Sequence, residues 1–256
     1  MKTLFLAWQD TRGKGGARAP SRAWFPIGRL DAEPGAHLYR FAYTRGVLKA
    51  KEQAGFQPLD AFPKLEQVYQ SEDLFPLFKN RLISPKREDY REYLERLGLE
   101  GEEADPFEIL AISGGTRQTD SLEVFPKLQR RRDGSFHCRF FLHGWRHVNL
   151  ASQERLANLQ AGETLQVALE LNNPASGIAL QLQTGNDYFV VGWTPRYLVG
   201  DLLGAIAESP DRVAARVVRI NEPPAPHNQR VLVEMTGRFR ENFEPMSSEE
   251  YQLIAA

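Results

Sequence analysis

Residues 137–150 read HCRFFLHGWRHVNL and hold three of the five histidines and the only cysteine of this 256-residue chain. Whether this stretch is strand or helix decides both the fold of the second half and its chemistry. His137, Cys138, His143 and His147 are all side chains that zinc accepts. The stretch is rich in aromatic residues, however, and follows RRRDG, a turn signal, so it reads as a strand leaving a hairpin loop. At ~3.3 Å per strand residue, His137 and His147 would lie ~33 Å apart and His143 and His147 ~13 Å apart, too far for one ion. A helix would bring the last two together, but Gly144 sits between them and no second Cys or His pair completes a site. A strand without metal is the reading adopted, with Cys138, Phe140 and Leu142 on one face and Phe141 and His143 on the other.

Outward from this strand, composition sets the class. The hydrophobic fraction of 42% and the charged fraction of 25% are those of a globular protein. A single cysteine excludes an internal disulfide and fits a reducing compartment, so the cytoplasm is expected. MKTLFLAWQD starts like a signal peptide, but its apolar run breaks at Gln9 and Asp10, and no later run approaches a membrane span. Net charge is −1, unevenly distributed. Residues 1–133 carry 22 Lys and Arg against 20 Asp and Glu, whereas residues 134–256 carry 10 against 13, and all ten cations there are Arg. Strong non-specific nucleic-acid binding needs a positive footprint, so any such site in the second half must be local.

The first half mixes strands and helices. KTLFLAW, AWFPIGRL and HLYRFAY read as an antiparallel meander. The loop QDTRGKGGARAPSR, residues 9–22, lacks the phosphate-loop pattern and is expected to be a flexible hairpin connection. SEDLFPLFKNRLI spaces Leu74, Phe75, Phe78 and Leu82 as a helix capped by Ser71. SPKREDYREYLERLG predicts a second helix, capped by Ser84 with Pro85 at its first position and stopped by Gly98. DPFEILAIS repeats the device with Asp105 and Pro106, and LEVFP returns to strand.

From residue 134 the texture is β. FHCRFFLH, TLQVALEL, GIALQLQ, DYFVVGW, VAARVVRI and RVLVEM are six strand candidates, which suggest a small barrel or sandwich. One helix, PRYLVGDLLGAIAES, interrupts them, with Thr194 as expected cap and Pro195 at its first position. A capping box from Ser247 to Glu250 predicts a short closing helix.

Two resemblances cover most of the chain. IGRL, YRFAY, LFPLFKNRLISP, DPFEILAISGG and LEVFP follow the order of motifs in the N-terminal subdomain of HipA-type toxin kinases, which residues 4–126 resemble. The kinase core is missing: no catalytic-loop Asp with a downstream metal-binding Asn follows. HGWRHV, LQAGETL, LNNPASGIALQL and VVGWTPRYL resemble the motifs of a HIRAN domain, a modified OB-type barrel of helicase-like remodelling proteins and bacterial proteins. In DNA-binding members, an Arg-aromatic pair and an Asn-Pro-Tyr-Asp turn form a pocket for a single-strand end. Arg146 and His147 match the first, and Asn172, Asn173 and Pro174 the start of the second. The Tyr and Asp of the turn are replaced by Ala175 and Ser176, and the Asn by Gly177. Trp145, Trp193, Tyr188 or Tyr197 could supply the missing ring.

The resemblances thus imply an α+β domain over residues 1–128, a mainly β OB/SH3-like HIRAN-type barrel with one inserted helix over 134–242, and a helical tail over 243–256. Nucleic acid, most naturally single-stranded or end-containing DNA, would meet Arg146, His147, Asn172, Asn173, Trp193, Arg196 and Tyr197. The helix after Trp193 would offer its N-terminal N–H groups to a phosphate. The first domain would dock a protein partner, such as a separately encoded HipA-like kinase of a toxin–antitoxin or defence system. A protein-only regulator is the alternative. No catalytic pair, cofactor or membrane partner is expected.

Overall fold

A computed structural model describes residues 1–10, 23–33, 37–99 and 104–255; the expected loop over 9–22 lies largely outside the described residues. The chain divides into two compact units: Met1–Arg91, Gly101–Lys127 and Met246–Ala256 form the first, Glu92–Glu100 and Leu128–Pro245 the second.

The first unit is built on a five-stranded antiparallel sheet. Its strands are β1 (Lys2–Gln9), β2 (Trp24–Glu33), β3 (Leu38–Tyr43), β4 (Tyr69–Ser71) and β5 (Leu122–Pro126), in the order β4-β3-β2-β1-β5. Cross-strand register places Leu4 opposite Leu30 and Leu30 opposite Phe41, so alternate residues deliver one apolar face. Helix α1 (Gly46–Ala54) adds Val47, Ala50 and Ala54 to this core at helical spacing. Phe41 stacks on Phe62 with ring centroids 4.0 Å apart. A Cβ on Gly28 would lie 2.5 Å from the Phe41 ring, so the glycine leaves that ring its space against β2. The buried Tyr43 hydroxyl donates to the Phe62 carbonyl at 2.7 Å and accepts from the Leu59 amide at 2.9 Å. Burial pushes its pKa up to about 12.

Three helices differ from or match their sequence signals for local reasons. The helix expected over 71–83 contracts to one turn, α2 (Pro76–Lys79). Pro76 forces Phe75 into extended backbone, φ −51° and ψ 142°, which stops any continuation toward Ser71. Ser71 instead ends β4 and accepts from the Asp73 amide. The next helix, α3 (Tyr90–Arg96), starts five residues beyond Pro85, because Ser84 closes a turn by accepting from the Lys86 and Arg87 amides. α4 (Pro106–Ser113) behaves as its sequence reads: Asp105 accepts from the Phe107 amide at 2.7 Å, and Gly114 ends it at φ +72°. Helix α1, in contrast, has no side-chain cap.

The tail forms no helix beyond a single 3-10 turn, Glu249–Tyr251, and the Ser248 side chain does not cap it. Its apolar residues dock instead. The Tyr251 ring meets Phe5 edge-on at 4.9 Å, Leu253 bridges to Thr44, and the Ile254 amide donates to the Tyr43 carbonyl. Extended pairing satisfies more of this segment's backbone than a short exposed helix would.

The second unit carries β6 (Ser135–Phe141), α5 (Leu150–Ala157), β7 (Thr164–Asn173), β8 (Gly177–Thr184), β9 (Val190–Trp193), α6 (Arg196–Glu208), β10 (Ala214–Ile220) and β11 (Val231–Arg238). All six strands pair antiparallel in the order β6-β11-β10-β7-β8-β9. The expected closed barrel is not formed, because among the described residues no ladder joins the edge strands β6 and β9. They are linked only past the end of β6, where His143 and Trp193 exchange backbone hydrogen bonds of 3.0 and 2.9 Å. Helix α6 buries Leu198, Leu202 and Ala205. It begins one residue later than expected, with Pro195 at the cap position; Thr194 does not cap it, and its buried hydroxyl lacks a hydrogen-bond partner. The segment 92–100 also belongs here: the Asn221 side-chain amide donates to the Arg96 carbonyl at 3.0 Å.

Candidate nucleic-acid interface

The stretch quoted at the outset is strand β6 followed by a tight turn. Phe136, Cys138 and Phe140 are buried and alternate with the more open His137 and Arg139. Phe141, expected on the face of the exposed His143, is buried as well, so burial stops alternating where the strand ends. Gly144 then takes φ +67°, and a 3-10 turn, Trp145–His147, follows. Two side chains fix this turn. The Trp145 indole donates to the His227 carbonyl at 2.8 Å, and the Gln153 amide of α5 donates to the Val148 carbonyl at 3.0 Å. α5 itself is capped by Asn149, which accepts from the Ser152 amide at 2.8 Å.

The turn packs against β9 through Gly144 and Trp193. A Cβ at Gly144 would lie 2.6 Å from the Trp193 ring, so this approach needs glycine for its space as well as for its backbone angle. The half-buried Trp193 is fixed from a second side, because its indole N–H donates to Glu170 Oε2 of β7 at 2.6 Å. The Asn173 amide donates to the same oxygen at 3.0 Å. Burial pushes the Glu170 carboxyl up, but hydrogen bonds from Asn173, Trp193 and Gln181 outweigh it and hold it below the ordinary carboxylate range. Glu170 is therefore the ionised hub that locks a tryptophan and the β7–β8 turn together.

Of the expected site residues, Arg146 and His147 are exposed, and among the described residues neither side chain forms an ion pair. Trp193 is brought next to their turn. Asn172 is exposed on β7. Asn173 acts inside the fold: besides Glu170, its carbonyl oxygen accepts from the Ala175 and Ser176 amides at 2.9 and 3.1 Å. Its side chain thus closes the NNPAS turn. Arg196 and Tyr197, at the start of α6, are half-buried and already engaged within the protein.

A second cluster lies on β6, β10 and β11. Glu234 is 7% exposed, and each of its oxygens is occupied. His137 Nε2 and Arg139 Nε donate to Oε2 at 2.6 and 3.0 Å; Arg216 Nε and one of its terminal nitrogens donate to Oε1 at 2.9 and 2.6 Å. Burial pushes this carboxyl up, yet the hydrogen bonds from His137, Arg216 and Arg139 prevail and hold its pKa down at about 2. Sequence reasoning missed both glutamates, although each carried a signal: a lone acid within an apolar strand, VALEL and VLVEM. The Cys138 thiol is pushed up to about 12, chiefly by burial, and is unreactive as a nucleophile at neutral pH. Among the described residues, no group of three or more His, Cys, Asp or Glu could hold a metal ion, and no helix is long and apolar enough to cross a membrane.

No protein-family model and no curated protein matches the chain. A crystal structure of a Lactobacillus plantarum protein, a structural-genomics target, is similar at 14% identity, covering 42% of this chain and all of that one, with a TM-score of 0.31. That score is too low to carry a conclusion about fold or function.

Proposed function

We propose that the second unit is a HIRAN-like module that binds nucleic acid through the Gly144–His147 turn and Trp193, in a non-enzymatic adaptor whose first unit docks a protein partner. The observation that carries this reading is the state of Arg146. It is exposed, mounted on a turn fixed at both ends, and has no acidic partner among the described residues, whereas a structural arginine would be tied to one. An exposed guanidinium with open donors, carried on a fixed turn beside an immobilised indole, can hold a phosphate and present a ring edge or face to a base. The sequence motifs point to the same pair of elements, since HGWRHV forms the turn and VVGWTP forms β9 and the approach to α6. The buried, high-pKa thiol and the full engagement of Glu170 and Glu234 leave these groups to structural work, which favours binding over catalysis. The HipA-like motif order favours a protein partner for the first unit, such as a separately encoded kinase.

Titration of labelled single-stranded DNA against wild type and Arg146→Ala tests the reading. The variant is expected to lose about 1–3 kcal/mol of binding through a missing charge-assisted hydrogen bond, with an unchanged melting temperature. A lowered melting temperature with unaltered binding would assign Arg146 to the fold instead. Absence of salt-sensitive binding by the wild type at micromolar protein would leave the protein-only regulator as the reading.

A further inference from the structure

The ten arginines of residues 134–256 sit in a segment with an excess of acid, yet several are gathered on one face. Strands β6, β11 and β10 lie side by side, and their register aligns Arg139, Glu234 and Arg216 in one row. His137, Thr236 and Ala214 form the next row, and Ser135 beside Arg238 forms a third. Alternation turns all three rows to the same side. Arg212 stands just before β10, and Arg131 in the turn that leads into β6. There a shallow cavity of about 310 Å³ is lined by Arg131, Arg212, Arg238, Ser135, Thr236 and Asp133.

The acids on this face do not cancel its charge. Five arginines lie on or beside this face, against three carboxylates: Asp133, Glu234 and Asp211, the last exposed next to Arg212 in the 3-10 turn. Glu234 is buried under three bases, and it fixes Arg139 and Arg216 while leaving each guanidinium with further N–H groups. Asp133 accepts from the Ser135 hydroxyl and amide, and these bonds, with the nearby Arg238, hold its carboxyl below its ordinary value. Arg238 is anchored by the Asp133 carbonyl. Arg131 and Arg212 are exposed, and among the described residues neither side chain has a hydrogen bond or ion pair. The result is a pre-positioned array: guanidinium groups fixed by Glu234 and by the Asp133 carbonyl, two uncommitted ones at the cavity, and the Thr236 hydroxyl between.

We propose that this face binds the phosphate backbone of a nucleic-acid strand, through a site separate from the Trp193 turn. Its length favours a polymer over a single anion. From the Arg139 row to the Arg238 row is four strand residues, or ~14 Å, whereas a nucleic-acid strand presents a phosphate every ~3.4 Å of axis. Guanidinium groups pair with phosphate oxygens two bonds at a time, which suits an arginine-only set. The face supplies positioning and affinity without reading bases.

The test is fluorescence anisotropy with a labelled oligodeoxythymidylate over a salt series, using the full chain. Wild type, Arg131→Ala/Arg212→Ala and Arg146→Ala are compared, with melting temperatures recorded for each. The double variant removes two side chains that are not tied into the fold, so its melting temperature is expected to be unchanged. Its binding is expected to weaken about tenfold or more at low salt, and the slope of log K against log salt to fall by about 0.7 for each phosphate that is no longer neutralised. Arg212→Glu should weaken binding further. If the double variant keeps wild-type slope and affinity while Arg146→Ala loses them, the face proposal is overturned and the Trp193 turn stands. The converse result supports the face and overturns the Arg146 reading. Failure of the wild type to bind at all overturns both.

Discussion

Replacing Glu234 with Gln tests the electrostatic centre of the second unit. The carboxyl lies at about pH 2 in the fold against an ordinary 4.5, a difference worth roughly 3 kcal/mol at 1.36 kcal/mol per unit. The Arg216 side chain is 59% exposed and His137 and Arg139 are each 34% exposed, so solvent screening reduces the expected contribution to about 1–3 kcal/mol. The direction follows from the depressed value: the stabilisation is complete above pH 4.5 and is lost as the pH falls toward 2. Glu234→Gln keeps the shape but turns one acceptor oxygen into an NH2 group facing guanidinium donors. At pH 7 the variant should be destabilised by about 1–3 kcal/mol, and its stability should change less than that of wild type between about pH 5 and 3. Hydrogen exchange of the β10 and β11 amides, corrected for intrinsic rates, reads the opening free energy of this sheet directly. Equal protection of variant and wild type at pH 7, or parallel loss on acidification, would refute the assignment.

Two further substitutions probe single contacts. Gly144→Ala places a Cβ 2.6 Å from the Trp193 ring at φ +67°, so thermal unfolding should show a loss of about 1–3 kcal/mol and a changed tryptophan emission. Asp105→Ala removes the side chain that accepts from the Phe107 amide, and should lower stability by about 0.5–2 kcal/mol in denaturant titration, with Asp105→Asn largely restoring it.

The sequence spoke most clearly where one residue acts on its immediate neighbours. Asp105, Pro106 and Gly114 bracket α4, and alternation assigns the faces of β6 as far as Phe140, beyond which Phe141 is buried too. It misled where tertiary contacts competed with local preference. Leu74, Phe75, Phe78 and Leu82 keep a helical period, but Pro76 restricts the residue before it and only one turn forms. Tyr251 and Leu253 find partners on β1 and beside β3, so the tail pairs instead of coiling. At the candidate site, Arg146, His147 and Trp193 were legible as motif positions, but the role of Asn173 was not. Glu170 and Trp193 are 23 residues apart, and Glu234 meets partners on two other strands. Such contacts depend on register, which a single strand does not encode.

The division of the chain into units has a consequence for synthesis. The first unit draws on Met1–Arg91, Gly101–Lys127 and Met246–Ala256, with Phe5 of β1 against Tyr251 and Thr44 bridged to Leu253. A nascent chain presents β1 to solvent early, yet these partners of Phe5 and Thr44 are added only after every residue of the second unit. That second unit has its whole sequence available by Pro245 and can consolidate first. The amino-terminal half is thus sealed after the half that follows it, which reverses the usual order in which domains mature along a polypeptide.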